Sequence, residues 1–242
     1  MAAVDPRTAL PRPRSPGRPR KADVAGAGAS RDRLLDAAID LFARHGYDPV
    51  TTGAVAEAAG LTQSMVHYHY GSKAKLWEAA IDRLMRDRGD LFPPSKAQLA
   101  ELEPMDRLRL LVRRLVEANA VQPNLARIAM HEGMAPSPRL DWLVERYMRA
   151  GYAVFDRAIE DAIASGALRP MPVHDVTNVV TSAASLTLSL GAVITRLYGH
   201  ETRDPDRMLS FIDSLLHILF EGLRSRTGTP DRLPKPKNQS NY

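Results

Sequence analysis

The sequence contains no cysteine among its 242 residues. Disulfide bonds, thiolate metal sites and thiol catalysis are therefore excluded. The first residues contain no apolar core of signal-peptide length. The longest uncharged run, residues 176–195, is interrupted by serine, threonine and asparagine and is too polar to face lipid. We therefore expect a cytoplasmic protein with no membrane partner.

The net charge of +5 is concentrated at the two ends of the chain. Residues 1–30 and residues 223–242 each carry +4, whereas residues 31–222 carry 22 basic and 25 acidic side chains. Both ends are rich in proline and lack a periodic apolar pattern, so we predict disordered basic tails at 1–29 and 225–242. The basic composition alone does not show that the body of the protein binds DNA.

The N-terminal tail contains a short motif that allows two interpretations. Residues 15–21 read Ser-Pro-Gly-Arg-Pro-Arg-Lys and resemble the core of an AT-hook. In that interpretation Arg18 and Arg20 enter a narrow minor groove, where the negative potential is concentrated. The alternative is a basic tail that contacts phosphates without sequence preference.

Residues 51–76, TTGAVAEAAGLTQSMVHYHYGSKAKL, combine helix starts and turns at short spacing. Thr51 and Thr62 are good N-caps, and Gly60 suits the left-handed turn between two short helices. A short helix, a glycine-containing turn and a second short helix over about 63–69 predict a helix-turn-helix. Neither helix is long enough to persist alone, so a preceding helix is expected to support both.

That supporting helix is predicted at about residues 31–44, with Ser30 as its N-cap and an apolar stripe along one face. A fourth helix over about 72–88 follows the helix-turn-helix and links it to the remainder of the chain.

The pattern Ala59-Gly60-Leu61-Thr62 followed by Val-His-Tyr-His-Tyr-Gly-Ser-Lys at 66–73 resembles the signature of the TetR family of transcriptional regulators. The sequence departs from the usual family pattern at His67, Tyr70 and Gly53. The resemblance implies an all-α protein that binds double-stranded DNA. Its parts would be a three-helix DNA-binding domain at 30–76 and a helical ligand-binding and dimerisation domain at 77–224.

The second short helix is expected to enter the major groove. Gln63, Ser64 and Met65 have the chemistry to contact base edges and thymine methyl groups. Thr52, Tyr68 and Lys73 are expected to position the protein on phosphates. The complete predicted DNA-binding set adds residues at the two caps and in the tail: Thr51, Thr52, Thr62, Gln63, Ser64, Met65, His67, Tyr68, Lys73, Arg18 and Arg20.

Metal binding, a cofactor and enzyme activity are not expected. His67 and His69 have a spacing known in metal sites, but on a helix residues two apart point about 200° from each other. His131-Glu132 and His174-Asp175 are the only other suggestive clusters, and neither has a nucleophile or a metal-ligand spacing.

The segment from 130 to 155 is rich in methionine and aromatic side chains, which suit a pocket for an apolar or aromatic small-molecule effector. The alternative is ordinary core packing. The predicted pocket residues are Met130, His131, Met134, Trp142, Tyr147, Met148, Tyr152 and Phe155.

The last two helices, predicted at about 175–197 and 206–224, are apolar on more than one face. Such helices must be buried on more than one face, which favours half of a four-helix bundle completed by a second subunit. The alternative is an internal core of a monomer. The predicted interface residues are Val180, Ala184, Leu188, Phe211, Leu215 and Leu219.

These features together predict a ligand-responsive transcriptional regulator of the repressor type. A homodimer would place two reading helices on a pseudo-palindromic operator, and an effector would release it. The alternative function is an architectural protein held on A·T-rich DNA by its Gly-Arg-Pro tail.

Overall fold

The computed structural model describes residues 21–201 and 204–223, with side chains from residue 28 onward except at 90, 222 and 223. Over these residues all regular secondary structure is helical, with no β-strand. The prediction of an all-α fold is therefore confirmed.

The helices follow one another with short connections. In chain order they are α1 Lys21–His45, α2 Thr52–Ala58, α3 Gln63–Tyr70, α4 Lys73–Arg88, α5 Lys96–Ala100, α6 Pro104–Val121, α7 Pro123–Gly133, α8 Pro138–Leu143, α9 Arg149–Ala164, α10 Val173–Ser189, α11 Gly191–Tyr198 and α12 Pro205–Leu223. A 3-10 turn, Gly89–Leu91, follows α4, and a π-helical turn, Val144–Met148, joins α8 to α9.

Helix α1 begins earlier than its sequence indicates. It starts at Lys21, so the predicted helix start at residue 31 was wrong and Ser30 lies inside the helix rather than at its N-cap. The predicted apolar stripe is present, because Leu34, Ala38 and Phe42 are fully buried under the helix-turn-helix. The predicted N-terminal tail is thereby shortened at its C-terminal end, and its residues 1–20 lie outside the described residues.

Local signals set the turns around α2 and α3. The Thr51 hydroxyl accepts a hydrogen bond from the Ala54 amide at 3.0 Å, as expected of an N-cap. Gly60, at φ +63°, supplies the left-handed residue of the turn. Thr62 occupies the N-cap position of α3 but makes no capping bond, since its hydroxyl lies 2.8 Å from that of Ser64 instead.

Helix α4 is shared between the two halves of the chain. The Ser72 hydroxyl caps it by accepting from the Lys75 amide at 3.2 Å. Its buried face joins the core beneath the helix-turn-helix, and that core also contains Leu125 and Ile128 of α7 and Leu143 of α8. The domain boundary predicted at 76/77 therefore does not coincide with a boundary in side-chain packing.

A second core is formed mainly by α6, α9, α10 and α12, with Phe92 from the loop after α4. Two irregularities interrupt the helices here. The π-helical turn lies between α8 and α9, and the helix predicted at about 175–197 bends by 66° between α10 and α11. The Ser189 hydroxyl donates to the Ser185 carbonyl just before this bend, a bond that favours helix bending.

No single helix within residues 21–201 and 204–223 has the length and apolar character needed to cross a membrane. Helices α10 and α11 meet those criteria only as a pair, across their bend.

Candidate DNA-binding surface and ligand cavity

Helix α3 presents most of its predicted reading residues to solvent. Val66 is fully buried and fixes the helix against the core. Met65 is half-buried, and Tyr68 is 77% exposed. The remaining predicted contacts on this helix and its cap are exposed, namely Thr62, Gln63, Ser64 and His67. We call these exposed side chains of α3 and its cap, together with Met65, the reading surface.

Helix α2 orients the side chain of Gln63, the residue predicted to contact an adenine edge. Gln63 Nε2 donates to the Thr52 hydroxyl at 3.0 Å. Gly53 lies beside this pair, and a Cβ added there would be 3.8 Å from Gln63 Oε1. The amide of Gln63 is therefore held by a neighbouring helix while it remains exposed. Thr51, the N-cap of α2, lies at the edge of the same surface.

The predicted phosphate contact Lys73 is engaged within its own chain. Its Nζ donates to the Asp48 carbonyl at 3.1 Å and lies 4.1 Å from the centroid of the Tyr47 ring. Burial lowers the pKa of Lys73 below its usual value. The lysine therefore stabilises the domain in the free protein, so a substitution there affects more than a phosphate contact.

The two histidines of α3 have separate environments. His67 is exposed, with Nδ1 3.2 Å from the Gly71 carbonyl, whereas His69 is half-buried and packs against Tyr68. In the part of the chain that the structure describes, no three potential metal ligands come together. The tail residues Arg18 and Arg20 lie outside the described residues.

A cavity of about 540 Å³ lies between α4, α6, α7, α9, α10 and the π-helical turn. This volume is in the range of pockets that hold drug-sized molecules. Five of the eight predicted pocket residues line it, namely Met130, Tyr147, Met148, Tyr152 and Phe155.

The other three predicted pocket residues do not line this cavity. Trp142 packs edge-on against Trp77, with ring centroids 5.5 Å apart, and so belongs to the core between α4 and α8. His131 lies against Gly46 of the loop after α1. Met134 is 77% exposed. Helix packing, which composition does not reveal, decided which side chains of the segment face the cavity.

Several lining residues were missed because they lie on helices assigned to other roles. Helix α4 contributes Met85 and Arg88, and α6 and α10 contribute Asn119 and Ser185. Asn119 donates to the Ser185 hydroxyl at 3.0 Å. A signal was available in the sequence, since Asn119 falls on the apolar stripe of its helix.

Arg88 is the most unusual of these missed residues. The whole residue is only 8% exposed, and its guanidinium lies 4.7 Å from the centroid of Phe92. Its Nε and Nη2 atoms are buried, with no hydrogen-bond partner among the described residues. Burial lowers the pKa of Arg88 to about 10. The side chain therefore stays protonated at neutral pH and places an unpaired positive charge in the cavity wall.

Helix α4 connects the cavity to the helix-turn-helix. It begins at the turn after α3 and ends 16 residues later with Arg88 in the cavity wall, a length of about 24 Å. Near its middle, Asp82 accepts hydrogen bonds from Arg146 Nε at 3.1 Å and from the Tyr147 hydroxyl. Burial raises the pKa of Tyr147. The π-helical turn is thus attached to α4 from the cavity side.

The predicted dimer interface needs correction. Val180, Ala184, Leu188, Leu215 and Leu219 are buried in the chain's own second core, and Phe211 is half-buried against it. Side chains that already fill one subunit's core are not available to a second subunit. Seven large aliphatic residues on α10, α11 and α12, or between α10 and α11, are exposed, and we call them the outer apolar surface: Val179, Leu186, Leu190, Val193, Leu197, Leu209 and Ile218.

An exposed reading helix, supported by a helical core and joined by one helix to an apolar cavity, defines a helix-turn-helix DNA-binding protein. The chain belongs to the TetR family. Residues 34–80 match the family model described as bacterial regulatory proteins, tetR family, and residues 104–216 match the tetracyclin repressor-like C-terminal domain.

Known regulators resemble the chain over different lengths. The HTH-type transcriptional regulator RutR of Escherichia coli K12 is 22% identical over 82% of this chain and 92% of its own length. The HTH-type transcriptional repressor SCO4008 of Streptomyces coelicolor is 28% identical over 53% of this chain and 64% of its own. The crystal structure of the regulator FadR from Bacillus subtilis, in complex with stearoyl-CoA, has a TM-score of 0.58 at 15% identity, covering 80% of this chain and 99% of that one.

Proposed function

We propose that this TetR-family transcriptional regulator is a dimeric repressor that binds a pseudo-palindromic operator and leaves it when a small molecule enters the cavity. The observation that carries the proposal is the course of α4, which starts beside the reading surface and ends in the cavity wall. The relative SCO4008 is named a repressor, and FadR of Bacillus subtilis holds an acyl-CoA in its crystal structure. Both support the proposed function. Such a regulator acts on double-stranded DNA in the cytoplasm.

Base recognition is assigned to the reading surface. Gln63 has an amide suited to an adenine edge, and Ser64 has a hydroxyl that pairs with donors or acceptors. Tyr68, whose ring is largely exposed, supplies a hydroxyl for a phosphate. His67 and Thr51 lie beside these residues and complete the proposed contact with the backbone. Specificity and affinity are therefore carried by different side chains.

Gln63→Ala is expected to relax base preference at one position of each half-site. A bidentate amide–adenine pair contributes roughly 1–3 kcal/mol of discrimination, which corresponds to about a 5- to 150-fold change in relative affinity. Selection of binding sequences from a randomised DNA pool, followed by titration of the best sequence and its single-base variants, measures this change.

Tyr68→Phe is the matched control, because it keeps the ring and removes only the hydroxyl. It is expected to weaken binding to all sequences alike while the selected sequence stays unchanged. An equal loss on every sequence for Gln63→Ala would instead assign Gln63 to the backbone.

Dimer formation is assigned to the outer apolar surface. Its members come from α10, α11 and α12, and Ile218 and Leu197 are 71% and 67% exposed. Ile218 and Val179 also line a shallow groove of about 250 Å³ between α10 and α12. Several exposed apolar residues on neighbouring helices favour an interaction site, and a two-fold partner offers the same residues in return.

Ile218→Asp is expected to convert the dimer to a monomer, because a charge would be buried in an apolar contact. A monomer has only one reading surface, and this loss is expected to weaken operator binding by roughly 100-fold or more. Sedimentation velocity measures the association state, and gel-shift titration measures the affinity. Ser210→Asp, on the exposed polar face of the same helix, is the control and is expected to remain dimeric. A dimer that persists in Ile218→Asp places the interface elsewhere.

Release of DNA is assigned to a movement of α4. A ligand that contacts Met85 and Arg88 acts on the end of the helix whose start positions α3. A coupling of about 1–3 kcal/mol between cavity and reading surface is typical of such systems. The two reading surfaces of the dimer would then no longer match major grooves that lie one helical turn of DNA apart.

The architectural alternative is tested by removing residues 1–20, which leaves every described helix intact. Loss of all DNA binding would support the Gly-Arg-Pro tail as the main DNA-binding element. We expect a weaker complex that keeps its base preference, because the reading surface is unchanged.

A further inference from the structure

We infer that the effector is a monocarboxylic acid with an apolar body, whose carboxylate is bound by Arg88. The inference rests on the proposed function, since it names the ligand class of the same cavity. It starts from Arg88 in the cavity wall, a residue that is 8% exposed and whose guanidinium has no partner among the described residues.

The charge balance of the cavity favours an anion. Among the residues whose side chains the structure describes, its lining contains two basic residues, Arg88 and Arg146, and no aspartate or glutamate. Arg146 already has a partner, since its Nε donates to Asp82 at 3.1 Å. Arg88 has none among the described residues, and stacking on Phe92 compensates only part of its lost hydration. An anion entering the cavity therefore gains a charge-assisted contact with Arg88.

The geometry of the guanidinium favours a carboxylate in particular. The two unpartnered atoms, Nε and Nη2, form one edge of the planar group. That edge presents two parallel N–H bonds, the arrangement that pairs with the two oxygens of one carboxylate. A single unpaired guanidinium matches one negative charge better than the two charges of a phosphate monoester.

The remainder of the wall specifies the body of the ligand. Most of the wall consists of methionine, leucine, alanine and aromatic side chains. Met85, Met148 and Phe155 are large apolar side chains that suit an apolar ligand. A volume of about 540 Å³ accommodates a chain of about ten carbons or a substituted aromatic ring. The uncharged polar exceptions are Asn119, Thr181, Ser182 and Ser185. Asn119 and Ser185 are hydrogen-bonded to each other, and the Thr181 hydroxyl donates to the Thr177 carbonyl.

Ligand binding at Arg88 also moves the part of the chain that transmits the signal. Because Nε and Nη2 are covered by protein atoms, the guanidinium has to turn from Phe92 to meet a carboxylate. Arg88 is the last residue of α4. The reorientation therefore occurs at the cavity end of α4, the helix that follows α3 and its reading surface.

The experiment measures binding by calorimetry with the full-length protein and no DNA. The probes are decanoate, 4-tert-butylbenzoate and the uncharged analogue decanol. We expect at least one acid to bind wild type, decanol to bind more weakly, and Arg88→Met to weaken the acid by roughly 10- to 100-fold. Arg86→Met removes an exposed positive charge from the same helix and is expected to stay within about twofold of wild type.

Folding of the variant is checked separately. Arg88→Met replaces an unpaired buried charge with an apolar side chain of similar length, so its thermal unfolding midpoint is expected to equal or exceed that of wild type without ligand. Arg88→Lys keeps the charge but loses the two parallel N–H donors of the guanidinium, so an intermediate affinity for the acid is expected. The inference is overturned if wild type binds neither acid, if decanol matches decanoate, or if Arg88→Met binds the acid normally. Binding of decanoyl-CoA in place of decanoate also overturns it.

Operator release is measured in a second assay, so the two proposals fail in different ways. An acid that binds through Arg88 without changing operator affinity supports the ligand class and refutes the proposed effector response. Release by an uncharged compound that is unaffected by Arg88→Met supports the response and refutes the ligand class.

Discussion

Trp77→Ala is expected to destabilise the protein by about 3–5 kcal/mol, the range for removing a large aromatic side chain from a core. Trp77 is 1% exposed on α4 and lies edge-on to both Tyr47 and Trp142, with centroids 6.4 Å and 5.5 Å away. It therefore joins the helix-turn-helix to α8. Because one core spans both parts, we expect the loss in a single urea-unfolding transition followed by circular dichroism.

Trp77→Phe separates the volume of the ring from its polar atom. Trp77 Nε1 is buried with no hydrogen-bond partner among the described residues. Phenylalanine removes this atom and leaves only a small cavity, so a loss of about 1 kcal/mol is expected. Equal destabilisation by alanine and phenylalanine would show that Nε1 has an unrecognised partner. Separate unfolding of the N-terminal helices would show that the core is not shared.

Arg139→Met is expected to cost about 3–5 kcal/mol, because it leaves a buried carboxylate without its partner. The Glu132 side chain is 3% exposed, and Arg139 Nε donates to both of its oxygens, at 3.1 Å and 3.0 Å. The Ser137 hydroxyl adds a third bond at 3.2 Å. This network fixes the turn between α7 and α8. Chemical denaturation of the purified variant gives the loss in unfolding free energy.

The double variant Glu132→Leu/Arg139→Met removes both charges and tests that explanation. It is expected to recover most of the lost stability, since replacing a buried ion pair by apolar groups is often neutral. Any deficit that remains is assigned to the other contacts that the double variant removes. These are the Ser137 bond to Glu132, the Asp48 carboxylate 3.8 Å from Arg139 Nη2, and the Tyr47 ring, whose centroid lies 3.9 Å from the Arg139 guanidinium. A double variant no more stable than Arg139→Met would show that the ion pair itself stabilises the turn.

The helix-turn-helix was readable from sequence because its signals are local. Thr51 caps α2 through a bond to an amide three residues away, and Gly60 takes a backbone angle that other residues disfavour. The start of α1 was misplaced for the same reason. Ser30 has cap chemistry, but nothing local marks the additional helical residues before it.

The outer apolar surface shows what the periodicity of apolar residues along a helix does not predict. Val180 and Val179 are neighbours on α10 with the same side chain, yet one is 1% and the other 59% exposed. Apolar residues on two faces of a helix indicate two contacts. They do not indicate which contact lies within the subunit, because that depends on where α6 and α9 pack.

The sequence by itself determined the helical class, the position of the helix-turn-helix and the resemblance to the TetR family, since each depends on neighbours within a few turns of the chain. Only the tertiary structure decided which aromatic residues line the cavity, which apolar face is left exposed and what surrounds Arg88. That arginine is an unremarkable basic residue at a helix end in the sequence. It becomes a buried charge, with no partner among the described residues, only because the fold packs it against Phe92 in the cavity wall.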